Sequence, residues 1–341
     1  MTTAIKASPF NRNHLLRDAA AQAIYECMAD DPAIHLFGEG AWVKQFYDAP
    51  RIYKDFSDRI VTMPIAEDGS INFAVGAALM GAKPVVNLIA GDFLYRAMDS
   101  IANTAAKLNF AGGKHTLVIQ AEFLLGGPTT GQRPESMFVH VPGLRVVMPS
   151  TPHDAYGLMR TALQEPGVTL FLEDRMIQDD AAWTVEDLRY PEPLPIGVCH
   201  PRKIGKRGNV TVITYGVMRQ VVEKALAPFQ FNGDYGDDDY PMLCDVIDLC
   251  SLYPIGWQYL VKMTERTGKV LIVEPDVVYG GIGAEIAAYL HDRRPSIKVK
   301  RLGAPRQTIP ASPALHSRFL PTEEEILATI RAMCDGTAFG Y

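Results

Sequence analysis

Two rhythms alternate along the chain: short unbroken apolar runs, and longer stretches with apolar residues at helical spacing. Residues 14 to 29 place Leu15, Ala19, Ala23, Ile24 and Cys27 on a helical period, and Asp30, Asp31 and Pro32 end the run. AIHLFGEG (33–40) predicts a buried strand that stops at glycine. GSINFAVGAALMG (69–81) predicts a helix whose small residues let another backbone approach, and KPVVNLIA (83–90) predicts a second buried strand. A helix over 95–109, a strand HTLVIQA, a Gly-rich loop from Gly126 to Gly131, a strand LRVVMPS, a helix over 154–163 and a strand VTLFLED follow. Alternating strands and helices imply a mainly parallel sheet covered on both faces.

Residues 176 to 208 lose this rhythm and contain Pro191, Pro193, Pro195 and Pro201, so they read as a connection. From Asn209 it restarts with NVTVITYG, a helix over 219–226, MLCDVIDLC, a helix over 257–267, KVLIVEPD and a helix over 284–290. The expected fold class is α/β, with two domains of mainly parallel sheet covered by helices: residues 1–190, a linker 191–208, and residues 209–341. A length of 341 residues suits two cores. Within the second domain, the polar segment FNGDYGDDDYP between the helix over 219–226 and MLCDVIDLC reads as a solvated connection, its aspartates lacking a ligand spacing.

An apolar fraction of 48% with 21% charged residues belongs to a soluble globular protein. The net charge of −6 and the lack of a Lys/Arg cluster argue against nucleic acid and anionic membranes as partners. The N-terminus has no apolar core of a signal peptide, and no run of about 18 uncharged apolar residues follows, so the expected location is cytoplasmic. Five cysteines, scattered and without a Cys-x-x-Cys pair, read as reduced packing residues.

Several catalytic classes lack their motifs. There is no Gly-x-Ser-x-Gly elbow, no Walker loop and no His-Glu-x-x-His, and the histidines form no pair at helical spacing. GGIGAEI (280–286) follows a strand and opens a helix, but Ile286 stands where a dinucleotide loop needs its third glycine, so tight strand-to-helix packing is the better reading. MPIAEDGS (63–70) puts an acid, Glu67, just before an apolar helix. Such a carboxylate either caps the helix or does chemistry, and local sequence leaves both open.

Over almost its whole length the chain resembles the β subunit of the 2-oxo acid dehydrogenase E1 family of pyruvate, branched-chain and acetoin type. The matching stretches include FGEG (37–40), RIVTMPIAEDGSINFAVGAALMGAKPV (59–85), DFLYRAMDSIANTAAK (92–107), HVPGLRVVMPSTPHDAYGLM (140–159) and LFLEDR (170–175). VTVITYG, VIDLCSLYPIGW, VLIVEPDVVYGGIGAEIAAYL and SPALHSRFLP extend the match through the second half. The resemblance implies a thiamine-diphosphate-binding, transketolase-like pyrimidine domain followed by a transketolase C-terminal-like domain. It makes Glu67 the acid that donates to N1′ of the aminopyrimidine, favouring the imino tautomer that removes the thiazolium C2 proton, a role that wants a desolvating pocket. It sets Phe93 against the pyrimidine ring and Glu39 at the same crevice.

The family holds the diphosphate through Mg²⁺ with Gly-Asp-Gly and a downstream asparagine. Neither is matched here, since GDF (91–93) and GDYGDD (233–238) lack the second glycine. The resemblance therefore implies an α-type E1 subunit that carries the Mg²⁺ site, in an α2β2 heterotetramer, with a lipoyl acyltransferase as a further partner. It also implies a monovalent cation, K⁺, on backbone carbonyls of the turn after the helix that ends TALQEPG (161–167), with Leu163 and Glu165 as the candidates. The family's usual Gln-His-Ser-Gln loop is replaced by FLLGGPTTGQRPESMFVH, which has no histidine before His140 and is closer to the Gly-Pro-Thr-His loop of transketolase. Thr130, Gln132 and Arg133 are the residues left to face an anionic substrate, and none moves a proton near neutral pH as imidazole does. Decarboxylation with acyl transfer is the leading expectation. A carboligase using the same cofactor and a non-catalytic assembly subunit are the alternatives.

Overall fold

A computed structural model describes residues 15–39, 52–123, 129–177, 193–203, 208–227, 243–312, 315 and 318–339. The N-terminal arm, residues 126–128 of the Gly-rich loop, much of the 176–208 connection and the acidic segment FNGDYGDDDYP lie outside the described residues.

In chain order, the main elements of the first half are α1 (Leu15–Asp30), β1 (Ile34–Glu39), β2 (Ile60–Met63), α2 (Glu67–Leu79), β3 (Lys83–Ala90), β4 (Thr116–Phe123), β5 (Leu144–Val147), α3 (Pro152–Gln164) and β6 (Gly167–Asp174). The second half adds β7 (His200–Lys203), β8 (Gly208–Thr214), α4 (Val217–Leu226), β9 (Leu243–Asp248), β10 (Ser251–Tyr253), α5 (Trp257–Thr267), β11 (Lys269–Val277), α6 (Ile282–Arg293), β12 (Lys298–Ala304) and α7 (Glu323–Asp335). Two compact units result. The first runs to Ile196 apart from 126–129 and takes back Ser251–Pro254; the second holds the remainder.

The first unit is built on a sheet of order β10-β5-β6-β4-β3-β1-β2. Its pairs are parallel except β10 with β5. Every residue of β4 and β6 is buried, which explains their unbroken apolar reading and forces Gln120, Glu122, Glu173 and Asp174 to be satisfied inside the protein. Thr151 caps α3 by accepting from Asp154 N, and Pro152 opens the first turn where its missing N–H costs nothing. The segment read as one helix over 95–109 is instead a 3₁₀ turn (Gly91–Tyr95), a π-helical stretch (Ser100–Ala106) and a short α-turn (Lys107–Phe110). The wide winding begins at Ser100, whose hydroxyl donates to Asp68 and accepts from Asn72 Nδ2 of α2.

The second unit has a sheet of order β12-β11-β8-β9-β7, parallel except β7 with β9. Its main body starts at Gly197, inside the stretch that reads as a connection. The glycines of GGIGAEI serve packing: a Cβ on Gly281 or Gly283 would come within 2.5 or 2.7 Å of the Glu274 carboxylate. Glu274 Oε2 accepts from Gly283 N at 2.9 Å, so the N-terminus of α6 holds an internal carboxylate where a dinucleotide loop holds phosphate. Among the described residues no helix is long and apolar enough to cross a membrane.

Candidate active site

Glu39 and Glu67 lie 28 positions apart in sequence and meet at the C-terminal edge of the first sheet. Glu39 ends β1 opposite Met63, the last residue of β2, and the chain then takes a short turn to Glu67 at the start of α2. This edge is where ligands bind in open parallel sheets. Glu67 is not a cap: Ala66 holds the N-cap position and no side-chain capping bond forms. Its side chain is buried, 6% exposed, and Oε2 lies 3.4 Å from Nε of Arg96. Arg96 is largely exposed, so water screens that pair and it contributes little stability.

Glu39 is 2% exposed, and its Oε1 has no hydrogen-bond partner among the described residues. Burial first, and the neighbouring Glu67 charge second, push its carboxyl up to about 7, against a hydrogen bond from the Ala66 backbone that acts in the opposite sense. Glu39 is thus poised to hold a proton near neutral pH. A raised carboxyl pKa means that the folded state binds the proton more tightly than the unfolded chain. Its contribution to stability is full below about 4.5 and is lost as pH rises to about 7. Unfolding free energies of Glu39→Gln from urea titration should therefore lack that decline and exceed wild type above pH 7, by an amount on the order of 1–3 kcal/mol.

The end of β3 is bent sharply toward the same edge. Ile89 has φ +65°, a left-handed conformation that costs a β-branched residue on the order of 1–3 kcal/mol, and Asn87 Oδ1 steadies it by accepting from Ile89 N at 2.8 Å. The β3–β4 register slips between Asn87 and Ala90, and the 3₁₀ turn carrying Asp92 and Phe93 leaves the sheet there. Gly91 must be glycine, since a Cβ would sit 2.5 Å from the Phe123 ring. Phe93 is half-buried on this turn.

Thr130 and Gln132 are half-buried as well. Arg133 does not stand as a free cation for substrate. Its side chain is 6% exposed, one guanidinium nitrogen lies 3.0 Å from Asp174 Oδ2, and the group packs over the Phe123 ring at 5.0 Å. Releasing it would leave a buried aspartate uncompensated. Beside it Glu122 and Glu173 are neighbours in the β4–β6 register, both buried. Arg175 pairs with Glu122, and Gln120 donates to Glu173 Oε2 at 2.9 Å. Burial first and the Glu122 charge second raise the Glu173 carboxyl. Sequence reading missed this acid pair because it lies within strands that otherwise read as apolar.

The turn after α3 does not fit a bound K⁺. Leu163 is buried in α3, while the Glu165 carbonyl accepts from Arg145 Nη2 at 3.3 Å and from Thr116 Oγ1 at 3.5 Å. Arg145 also donates to Thr169 Oγ1 at 2.9 Å and pairs with the Glu165 carboxylate at 3.4 Å. A guanidinium already neutralises the turn, and a second cation there would meet its repulsion. Thermal unfolding should be the same in KCl and in choline chloride of equal ionic strength. Arg145→Met should lower Tm by several degrees, because it removes a charged donor worth about 1–3 kcal/mol.

The first-sheet edge thus offers a buried carboxyl pair and a half-buried aromatic ring, a set that fits an aminopyrimidine. The Asp92 carboxylate of GDF is already taken by two backbone N–H groups at 2.9 Å and is not left for a Mg²⁺-diphosphate.

Residues 14–178 match the family described as Transketolase, pyrimidine binding domain, and residues 202–326 match Transketolase, C-terminal domain. The chain is 28% identical over 349 residues to 2-oxoisovalerate dehydrogenase subunit beta 2, mitochondrial, of Arabidopsis thaliana, covering 97% of this chain and 92% of the relative. It is 26% identical over 337 residues to the pyruvate dehydrogenase E1 component subunit beta of Rickettsia bellii, covering 94% and 98%. A solved split gene transketolase, described as an inactive beta4 tetramer, shares the fold with TM-score 0.78 at 21% identity, over 94% of this chain and 98% of that one. With both domains matched in order and E1 β subunits similar to it from end to end, the chain belongs to the transketolase-like thiamine-diphosphate family, as a β-subunit type of the 2-oxo acid dehydrogenase E1 group.

Proposed function

We propose that this chain is the β subunit of a heteromeric thiamine-diphosphate enzyme that decarboxylates a 2-oxo acid and transfers the acyl group, as an E1 component does. The observation that carries the proposal is the buried Glu39–Glu67 pair at the edge of a pyrimidine-type domain. Bound at this edge, the cofactor supplies a nucleophilic carbon and an electron sink for loss of CO₂. The chain's own residues do the rest. Glu67 presents its carboxyl proton to the pyrimidine N1′, and Glu39 keeps a proton available beside it. The half-buried Phe93 ring would hold the pyrimidine by packing against it. Thr130 and Gln132 hydrogen-bond the substrate, and with Arg133 withdrawn they are the two expected loop residues able to do so.

The diphosphate and Mg²⁺ belong to an α-type partner, because the chain lacks Gly-Asp-Gly and spends Asp92 on its own backbone. The exposed face of α2 supports such a partner. Phe73 is 53% and the adjoining Met80 is 88% exposed, and a Cβ on Gly76 would meet nothing within 4 Å. An apolar helix face with a bare glycine suits close approach of another subunit. The assembly we propose is α2β2, with a lipoyl acyltransferase as acceptor.

A second reading, carboligation to an aldehyde, is favoured by the loop around Thr130, which has no imidazole before His140. The test is to incubate the reconstituted α/β pair and a 2-oxo acid with lipoylated carrier domain, and separately with aldehydes. Acyl-lipoyl product is expected. Acyloin or ketol alone would select the second reading.

A further inference from the structure

We propose that Asp92 is a positioning residue that fixes the substrate-facing loop, an inference that rests on the function proposed above. Asp92 Oδ2 accepts from Gly131 N and Oδ1 accepts from Gln132 N, both at 2.9 Å. Two successive amides on two oxygens of one carboxylate form a bidentate, charge-assisted clamp, stronger and more directional than neutral hydrogen bonds. The clamp needs a particular backbone on both sides. Gly131 has φ +97°, a conformation a side chain would strain, and it turns consecutive N–H groups to the same side. On the other side, the left-handed Ile89 and the register slip after it release the Asp92 turn from the sheet.

A second anchor lies one residue beyond. Arg133 is tied to Asp174 and lies over Phe123, and the Phe123 ring in turn packs where a Gly91 Cβ would be. The segment 131–133 is thereby held through its backbone at the centre and its side chain at the end. The side chains of Thr130 and Gln132 are left as the loop's polar groups toward substrate, presented at a height that Asp92 sets. The same turn bears Phe93, so one element positions both the ring beside the pyrimidine and the loop beside the substrate.

The test compares wild type, Asp92→Asn and Asp92→Ala in the reconstituted α/β pair, with peptide-level amide exchange over 129–134, cofactor affinity, and steady-state kinetics on a 2-oxo acid. Asp92→Ala is expected to speed exchange at Gly131 and Gln132 and to lower kcat/KM by about 10²-fold, the scale of a misplacement near 1 Å. Cofactor Kd should stay within about twofold, since the Asp92 carboxylate contacts the Gly131 and Gln132 amides while the turn backbone that carries Phe93 is left unchanged. Asp92→Asn, which keeps one carbonyl acceptor, should fall between. In a cycle with Gln132→Ala the losses should not multiply, because Asp92 acts through that residue.

Unchanged exchange in Asp92→Ala would overturn the clamp. Faster exchange with unchanged kcat/KM, cofactor affinity lost in parallel with activity, or fully multiplicative losses would overturn the positioning role. If wild type turns over no 2-oxo acid, the functional reading fails and amide exchange alone decides the clamp.

Discussion

Glu67→Gln is expected to lower turnover of the reconstituted pair by about 10²–10⁴-fold, the range for loss of a positioned acid. Glutamine matches glutamate in volume, so the buried site stays filled and the fold should persist. Glu67 makes no capping bond, and its pair with the exposed Arg96 is screened, so α2 should also persist. What is lost is the proton that the carboxyl offers and the coupling to Glu39. With Glu67 neutralised, one of the two causes that raise the Glu39 carboxyl disappears, and the pH dependence tied to Glu39 should move toward lower pH. Turnover across pH 5–9, with circular dichroism of the same samples, reads both effects.

Gly76→Leu is expected to block assembly while leaving the isolated chain at least as stable. Gly76 lies on the exposed side of α2, and a Cβ there meets nothing within 4 Å. Leucine also favours an exposed helix over glycine by roughly 1 kcal/mol, so Tm of the chain alone should hold or rise. Against a partner helix, the added side chain would occupy the space of the close approach. A loss typical of a central interface residue, at least about 2 kcal/mol, weakens the complex roughly 30-fold or more. Analytical ultracentrifugation of the mixed subunits, with Tm of the single chain, checks both halves. Unaltered assembly would move the partner surface off α2.

Much of the fold was legible because it rests on local pattern. The apolar pattern marks β3 to the residue as KPVVNLIA, and α5 as residues 257–267. β7 and β10 were not read, because a short strand added antiparallel at a sheet edge takes its identity from a distant partner and not from its own period. α7 could have been read: Thr322 and Glu325 form a capping box, a signal visible in PTEEE. In the candidate site, Glu67 was legible only through the wider resemblance. Its nearness to Glu39, the withdrawal of Arg133 by Asp174, and the clamp from Asp92 to Gly131 and Gln132 are long-range contacts that leave no local trace. The occupation of the K⁺ turn by Arg145 belongs to the same class, since Arg145 and Glu165 lie 20 positions apart.

The most direct measurement is deuterium exchange of the C2 proton of thiamine diphosphate in the reconstituted pair, acid-quenched and read by proton NMR, with cofactor occupancy checked for each variant. Wild type should exchange rapidly, and Glu67→Gln should bind the cofactor yet exchange at least about 10²-fold more slowly. Equal exchange rates at equal occupancy would contradict Glu67 as the activating acid.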